Sequence, residues 1–194
     1  MESKKEALKN DLFRGALVRL TAEEPEQLGK AIWRFDRDSE FRRLLDDGPP
    51  SLWSTKKIQE WFEKDGLDEE GKGIEFFIRT LKDDRLIGFV GLWDTSWSHG
   101  DAEVGIGIGD REYWGQGYGT DAMRVILRYG FMELNLKRIT LGVFAYNARA
   151  IRSYEKSGFV HEGRQRKALC RDRSRADIVY MGILREEWLR LNGA

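Results

Sequence analysis

The chain has 194 residues, 41% of them hydrophobic and 12% aromatic, enough for one core of ordinary size and too apolar for a disordered polymer. Its 33 Lys and Arg balance 33 Asp and Glu, so the basic excess of a dedicated nucleic-acid binder is absent. One cysteine, Cys170, excludes an intrachain disulfide and a CxxC zinc pair.

The opening Met1-Glu2-Ser3-Lys4-Lys5-Glu6 lacks the apolar stretch of a secretory leader. The longest apolar run, Leu86 to Trp93, is far short of the roughly 18 residues of a spanning helix. A cytoplasmic protein without membrane or metal is expected. Residues 1–11 read as a flexible N-terminus and 12–194 as one domain.

Ala16 to Leu20 reads as a first strand. Glu23 to about Leu45 reads as one charged helix, ended by Gly48-Pro49-Pro50. Thr55 is placed to cap a second helix with an apolar stripe of Ile58, Trp61 and Phe62, and Gly71 and Gly73 break it. Strands follow at Phe76 to Ile78 and at Leu86 to Trp93, apolar on both faces, with Asp83-Asp84 turning between them. Asp101 to Gly109 is a further strand. Val104, Ile106 and Ile108 share one face; Glu103, Gly105, Gly107 and Gly109 share the other, which is nearly bare.

Tyr118 to Glu133 reads as a helix with Ala122, Val125, Ile126, Tyr129 and Met132 inward and Asp121, Arg124, Arg128 and Glu133 outward. Arg138 to Ala145 alternates as a strand. Asn147 opens a shorter helix that stops at Gly158. Phe159 onward and Asp177 to Leu184 read as two last strands joined by a charged hairpin. The fold class is α/β (α+β): an antiparallel meander, then a β-loop-α-β unit, with a mixed sheet of about six to seven strands and about four helices.

The segment Trp114-Gly115-Gln116-Gly117-Tyr118-Gly119-Thr120 joins a strand to an amphipathic helix. Glycines permit positive φ and close backbone approach, and the free N–H groups of a helix start lie at the positive end of its dipole. Together they make a phosphate cradle; the alternative is a plain tight turn. A Walker loop needs a Lys after the glycines, and none is present. A dinucleotide fingerprint needs a third glycine where Thr120 stands and an acid where the next strand ends, at Asn147. Both patterns fail here; a third candidate occupant is the pyrophosphate of coenzyme A.

Here the segment resembles the acetyl-CoA-binding motif of the GNAT superfamily of N-acetyltransferases, Gln/Arg-x-x-Gly-x-Gly/Ala. Gly117 and Gly119 match its small positions, while Trp114 departs from Gln or Arg. Asn147-Ala148-Arg149-Ala150-Ile151-Arg152-Ser153-Tyr154-Glu155-Lys156-Ser157-Gly158-Phe159 resembles a second family block. Ala102 to Ile108 is similar to the strand before the loop. Gly163-Arg164 through Glu187-Trp188 is similar to the branch acting on ribosomal proteins and polyamines, with Asp172-Arg173 where that branch usually has Asp-Gly. The resemblance covers about Leu12 to the end.

It implies acetyl transfer from acetyl-CoA to a primary amine by direct attack, with no acyl-enzyme. It assigns Ile106, Gly107 and Ile108 to the pantetheine arm, and Trp114, Gly115, Gln116, Gly117, Tyr118, Gly119 and Thr120 to the pyrophosphate. Asn147 and Ala150 would contact the cofactor, and Asn147 can also simply cap its helix. Tyr154 stands where the family protonates sulfur; the alternative is a tyrosine packed under the cofactor. Glu103 can deprotonate the amine, directly or through water, or be a solvated strand residue. Cys170 has no obvious histidine partner among His99 and His161, so an inert thiol is expected.

Acceptor signals are weaker. Asp36, Asp38, Glu40, Asp46 and Asp47 form an acidic cluster suited to a cationic amine, diluted by Arg37, Arg42 and Arg43. Trp53, Trp93 and Trp97 are either an apolar acceptor wall or core. From Arg164 to Arg175 six of twelve residues are basic, which fits a solvated arm or contact with an acidic partner. A non-catalytic acyl-CoA-binding module stays open beside the enzyme, as does a homo-oligomer.

Overall fold

The computed structural model describes residues 11–64 and 73–193. The expected flexible N-terminus, but for Asp11, and the break at Gly71 lie outside them. The strands are β1 (Val18–Thr21), β2 (Ile74–Thr80), β3 (Leu86–Ser96), β4 (Asp101–Ile108), β5 (Arg138–Phe144), β6 (Val160–Arg171) and β7 (Ser174–Leu184). The helices are α1 (Pro25–Asp36), α2 (Ser39–Leu45), α3 (Thr55–Lys64), α4 (Tyr118–Met132), α5 (Ala148–Lys156) and α6 (Arg185–Asn192), with a 3-10 turn at Arg111–Tyr113. One seven-stranded sheet runs β1-β2-β3-β4-β5-β7-β6, antiparallel except where β4 meets β5. This is the expected mixed sheet, with six α-helices among the described residues rather than about four.

The sheet separates two apolar clusters. The larger holds Ile78, Val90 and Val104 from the strands and Met123, Ile126 and Leu127 from α4, with Tyr154 and Phe159 at its edge. The smaller packs Leu28, Phe35 and Phe41 of α1 and α2 on Phe77 and Leu86. Burying each such side chain contributes about 1.5–3 kcal/mol, so both helical layers are held on the sheet chiefly by apolar contact.

Four expectations need correction. The helix expected from Glu23 to Leu45 is two helices, because the Asp38 carboxylate accepts the N–H groups of Glu40 and Phe41 at 3.0 and 3.1 Å and so caps a new start. Ser54, not Thr55, caps α3: its hydroxyl accepts from Lys57 N–H at 3.2 Å. Met132 is 49% exposed, while Gly130 and Phe131 take the inward positions. Asp121 does not face out.

Asp121 is buried and accepts the N–H groups of Ala16, Leu17 and Val18 at 3.1, 2.7 and 3.1 Å. It ties the chain entering β1 to the first turn of α4. A Cβ on Gly15 would lie 2.3 Å from that carboxylate, so only glycine fits there.

Candidate active site

β4 and β5 pair only at Asp101–Arg138, Ala102–Ile139 and Glu103–Thr140. Beyond that they follow different partners, β4 on β3 through Ile108 and β5 on β7 through Phe144, and the sheet splits. Gly109 N–H donates to Ile87 C=O, so in the antiparallel alternation odd-numbered β4 residues bond to β3. The main-chain groups of Val104 and Ile106 therefore face the split. A cavity of about 410 Å³ fills it, lined by Glu103 to Ile108, Gly142 to Phe144, the glycine loop, α5 and α2.

At one end the loop is fastened on both sides. Asp110, buried at the end of β4, is held by Arg34 at 2.9 Å and Arg85 at 3.0 Å. The Trp114 indole N–H donates to Ile108 C=O at 2.6 Å, and the Arg149 guanidinium lies 3.7 Å over its ring. The tryptophan that replaces the family's Gln or Arg thus plugs the loop onto β4 and carries a cation from α5. Gly115 and Gly117 have φ of 73° and 93°, and Gly117 caps α4. Side chains rarely adopt that conformation, so these two glycines are needed for the backbone itself.

The loop leaves the first amides of the 15-residue α4 beside the cavity, with Arg149, Arg152 and Lys156 on the neighbouring face of α5. Open space around Gly115, three cations and a helix start fit a diphosphate, and the exposed edge of β4 fits an amide-bearing arm. A bridge of 2.8 Å between the Thr120 and Ser153 hydroxyls joins the two helices.

Of the expected binding residues, Ile106, Gly107, Ile108, Trp114, Gly115, Gly117, Gly119, Thr120, Asn147 and Ala150 line the cavity. Gln116 and Tyr118 do not. Gln116 spends its side chain on Glu112 C=O, and Tyr118 packs edge-on against Tyr113. Asn147 caps α5, its side chain accepting Ala150 N–H at 3.2 Å, while still facing the cavity. The bare face of β4 does not meet an extended ligand: a Cβ on Gly105, Gly107 or Gly109 would strike Trp93, Phe89 or Phe35. Those glycines make room for aromatic rings.

Tyr154 and Glu103 both reach the cavity, from opposite faces of the sheet. Tyr154 comes from α5 within the larger cluster; burial pushes its phenol up to about 12, so it stays protonated at neutral pH. Glu103 stands on the face that carries α2. Burial, helped by the charge of Asp94, raises its carboxyl above the usual range. Cys170 is exposed and away from the cavity. Among the described residues no group of three or more His, Cys, Asp or Glu is placed to hold a metal ion, and no helix is long and apolar enough to cross a membrane.

Sequence reasoning missed the far wall. It consists of Phe41, Leu44 and Leu45 of α2 and Phe144 of β5. Trp53, Trp93 and Trp97 take no part in it: Trp93 covers Gly91 and Gly105, Trp53 lies under Lys57, and Trp97 is 56% exposed. Arg149, Arg152 and Lys156 were also missed, although their spacing along one helix face is legible.

A split mixed sheet with a glycine loop and helix start at its mouth is the architecture of an acyltransferase domain. The family model of the acetyltransferase (GNAT) domain matches residues 17–160, and the chain belongs to that family of N-acetyltransferases. The chain is similar to a probable N-acetyltransferase, YjcK, of Bacillus subtilis, 40% identical over 113 residues, 58% of this chain and 60% of that protein. It is 35% identical over 104 residues to the spermidine N(1)-acetyltransferase of Vibrio cholerae, covering 54% of this chain and 60% of that one. Each aligned stretch thus spans less than two thirds of the relative. A crystal structure of spermidine N-acetyltransferase from Vibrio cholerae, in complex with CoA and spermine, superposes with a TM-score of 0.77 at 27% identity, over 89% of this chain and 98% of that one.

Proposed function

We propose that this chain moves the acetyl group of acetyl-CoA onto a primary amine, on a peptide or ribosomal-protein N-terminus or on a small molecule, by direct attack in a ternary complex. The observation that carries the reading is the split between β4 and β5. It brings a phosphate cradle, an unpaired strand edge, a protonated phenol and a carboxylate to one cavity.

The loop amides from Gly117 onward, with Arg149, Arg152 and Lys156, hold the phosphates; Val104 and Ile106 main-chain groups pair with the pantetheine amides. Bound acetyl-CoA supplies an activated thioester. Glu103 takes a proton from the acceptor ammonium, directly or through one water. The freed nitrogen forms the N–C bond as the C–S bond breaks, and Tyr154 gives its hydroxyl proton to the sulfur. Of the two protons the nitrogen sheds, one leaves through Glu103 to solvent and the other replaces the one lost by Tyr154.

The ribosomal and polyamine branch is supported by a putative ribosomal N-acetyltransferase of Bacillus subtilis, 32% identical over 108 residues, as well as by the spermidine enzyme. A binding module without catalysis is less favoured, because it leaves Tyr154 and Glu103 facing one cavity without a task. Mass-spectrometric detection of acetylated product from acetyl-CoA and an amine panel tests the proposal. Binding of acetyl-CoA with no product from any amine would favour the binding module.

A further inference from the structure

The acidic cluster around α2, whose charge suits a cationic amine, is largely paired within the fold. Asp38 and Glu40 pair with Arg111, the latter at 2.7 Å. Asp36 and Asp46 lie 3.5 and 3.6 Å from Arg42. Asp47 is exposed and stands outside the cavity. What α2 turns toward the cavity is Phe41, Leu44 and Leu45, facing Phe144 of β5.

This wall is fixed at both ends. Arg111 holds the start of α2 beside the cofactor loop. Its end is held by the Arg43–Asp172 pair at the β6–β7 tip, by Arg171 donating to Asp46 and Gly48 carbonyls, and by the Tyr146 hydroxyl donating to Arg43 C=O at 2.9 Å. The stacked rings of Phe144 and Tyr146, 5.5 Å apart, brace it from β5. The basic hairpin tip is thus engaged with the loop after α2, and the wall is preorganised rather than induced.

Resting on the proposed acetyl transfer, we infer that the acceptor is a primary amine borne on a bulky apolar group, with no second positive charge near it, and that α2 sets this preference. Among the described residues that line the cavity Glu103 is the one carboxylate, enough for one ammonium. A second ammonium would lie against Phe41, Leu44 and Leu45, where it would lose water and gain no partner. Two sources share this chemistry: a free arylalkylamine, and a peptide that begins with an apolar residue.

The test measures kcat/KM for phenethylamine, for a short peptide amide beginning with phenylalanine, and for spermidine, at saturating acetyl-CoA. One of the first two should exceed spermidine by at least about tenfold, and which one does identifies the source. Leu44→Glu should lower that preferred amine roughly tenfold and raise spermidine, while acetyl-CoA affinity stays within about twofold. Preference for spermidine by the parent protein, or a ratio that Leu44→Glu leaves unchanged, overturns the inference and leaves acetyl transfer standing. No transfer to any of the three, with acetyl-CoA still bound, overturns both.

Discussion

The two ends of the cavity are built from different material. The end proposed to hold the cofactor is mostly backbone: a strand edge, two glycines in the left-handed region and the first amides of α4. The end proposed to hold the acceptor is side chains: Phe41, Leu44, Leu45 and Phe144, with Glu103 the one carboxylate among the described lining residues. A ligand read by main-chain geometry constrains few residue types tightly. A ligand read by a wall of side chains leaves that wall free to change with the substrate.

This contrast can be broken most forcefully at the residue between the two ends. Glu103→Gln should lower kcat/KM by roughly 10²–10³-fold, within the usual range for a positioned base. The parent rate should fall on the acid side with an apparent pKa above that of an ordinary carboxylate, since burial and Asp94 hold the acidic form. Asp94→Asn removes the second cause, so this limb should move to lower pH. A limb that stays put in Asp94→Asn would assign it to another group.

Within the glycine loop, acetyl-CoA affinity should respond to backbone changes and not to the Gln116 side chain. Gly117 has φ of 93°, so Gly117→Val strains the loop and sets its branched Cβ 3.5 Å from Leu17 Cδ1, which shifts the amides that follow. A loss of about 2–3 kcal/mol is expected, or roughly 30–150-fold in acetyl-CoA affinity by calorimetry. Gln116→Ala should change that affinity by less than about twofold, because its side chain serves only Glu112 C=O. Equal losses in the two variants would contradict a cradle made of backbone.

Much of the cofactor end was legible in the sequence for the same reason. Glycines at 115, 117 and 119 and an asparagine cap at 147 are residue types that geometry imposes, and they stand out in a chain. Three features of the site were not legible. The break at Asp38 hides in a charged stretch with good helix formers on both sides. The inward turn of Asp121 depends on Gly15 and the amides of Ala16 to Val18, a hundred residues away. The apolar wall of α2 is two leucines and a phenylalanine that any amphipathic helix would show. The glycine face of β4 is nearly bare in the sequence, whereas the rings of Phe35, Phe89 and Trp93 fill it in the fold; sequence marks a missing Cβ and not what replaces it.

Glu75 offers a smaller effect, on stability alone. It stands on β2 outside the cavity, and one of its buried carboxyl oxygens has no hydrogen-bond partner. Burial raises its pKa from 4.5 to about 8. The folded state therefore binds its proton more tightly than the unfolded chain. Stability from this group is full below about pH 4.5 and is lost as pH rises toward 8. Glu75→Gln should flatten that loss, gaining about 2 kcal/mol, or about 6 °C in Tm, at pH 9 relative to the parent. Parallel Tm curves for the two proteins between pH 5 and 9 would show that Glu75 does not set the pH dependence of stability.

The proposed acetyl transfer takes place in the split between β4 and β5, with Tyr154 giving the proton to sulfur. Tyr154→Phe keeps the ring packed against Phe159 and removes only the hydroxyl. Single-turnover acetyl transfer, measured beside acetyl-CoA affinity, separates chemistry from binding. The rate should fall by roughly 10²–10⁴-fold with affinity nearly unchanged. A rate within about threefold of the parent, under 1 kcal/mol of barrier, would contradict it.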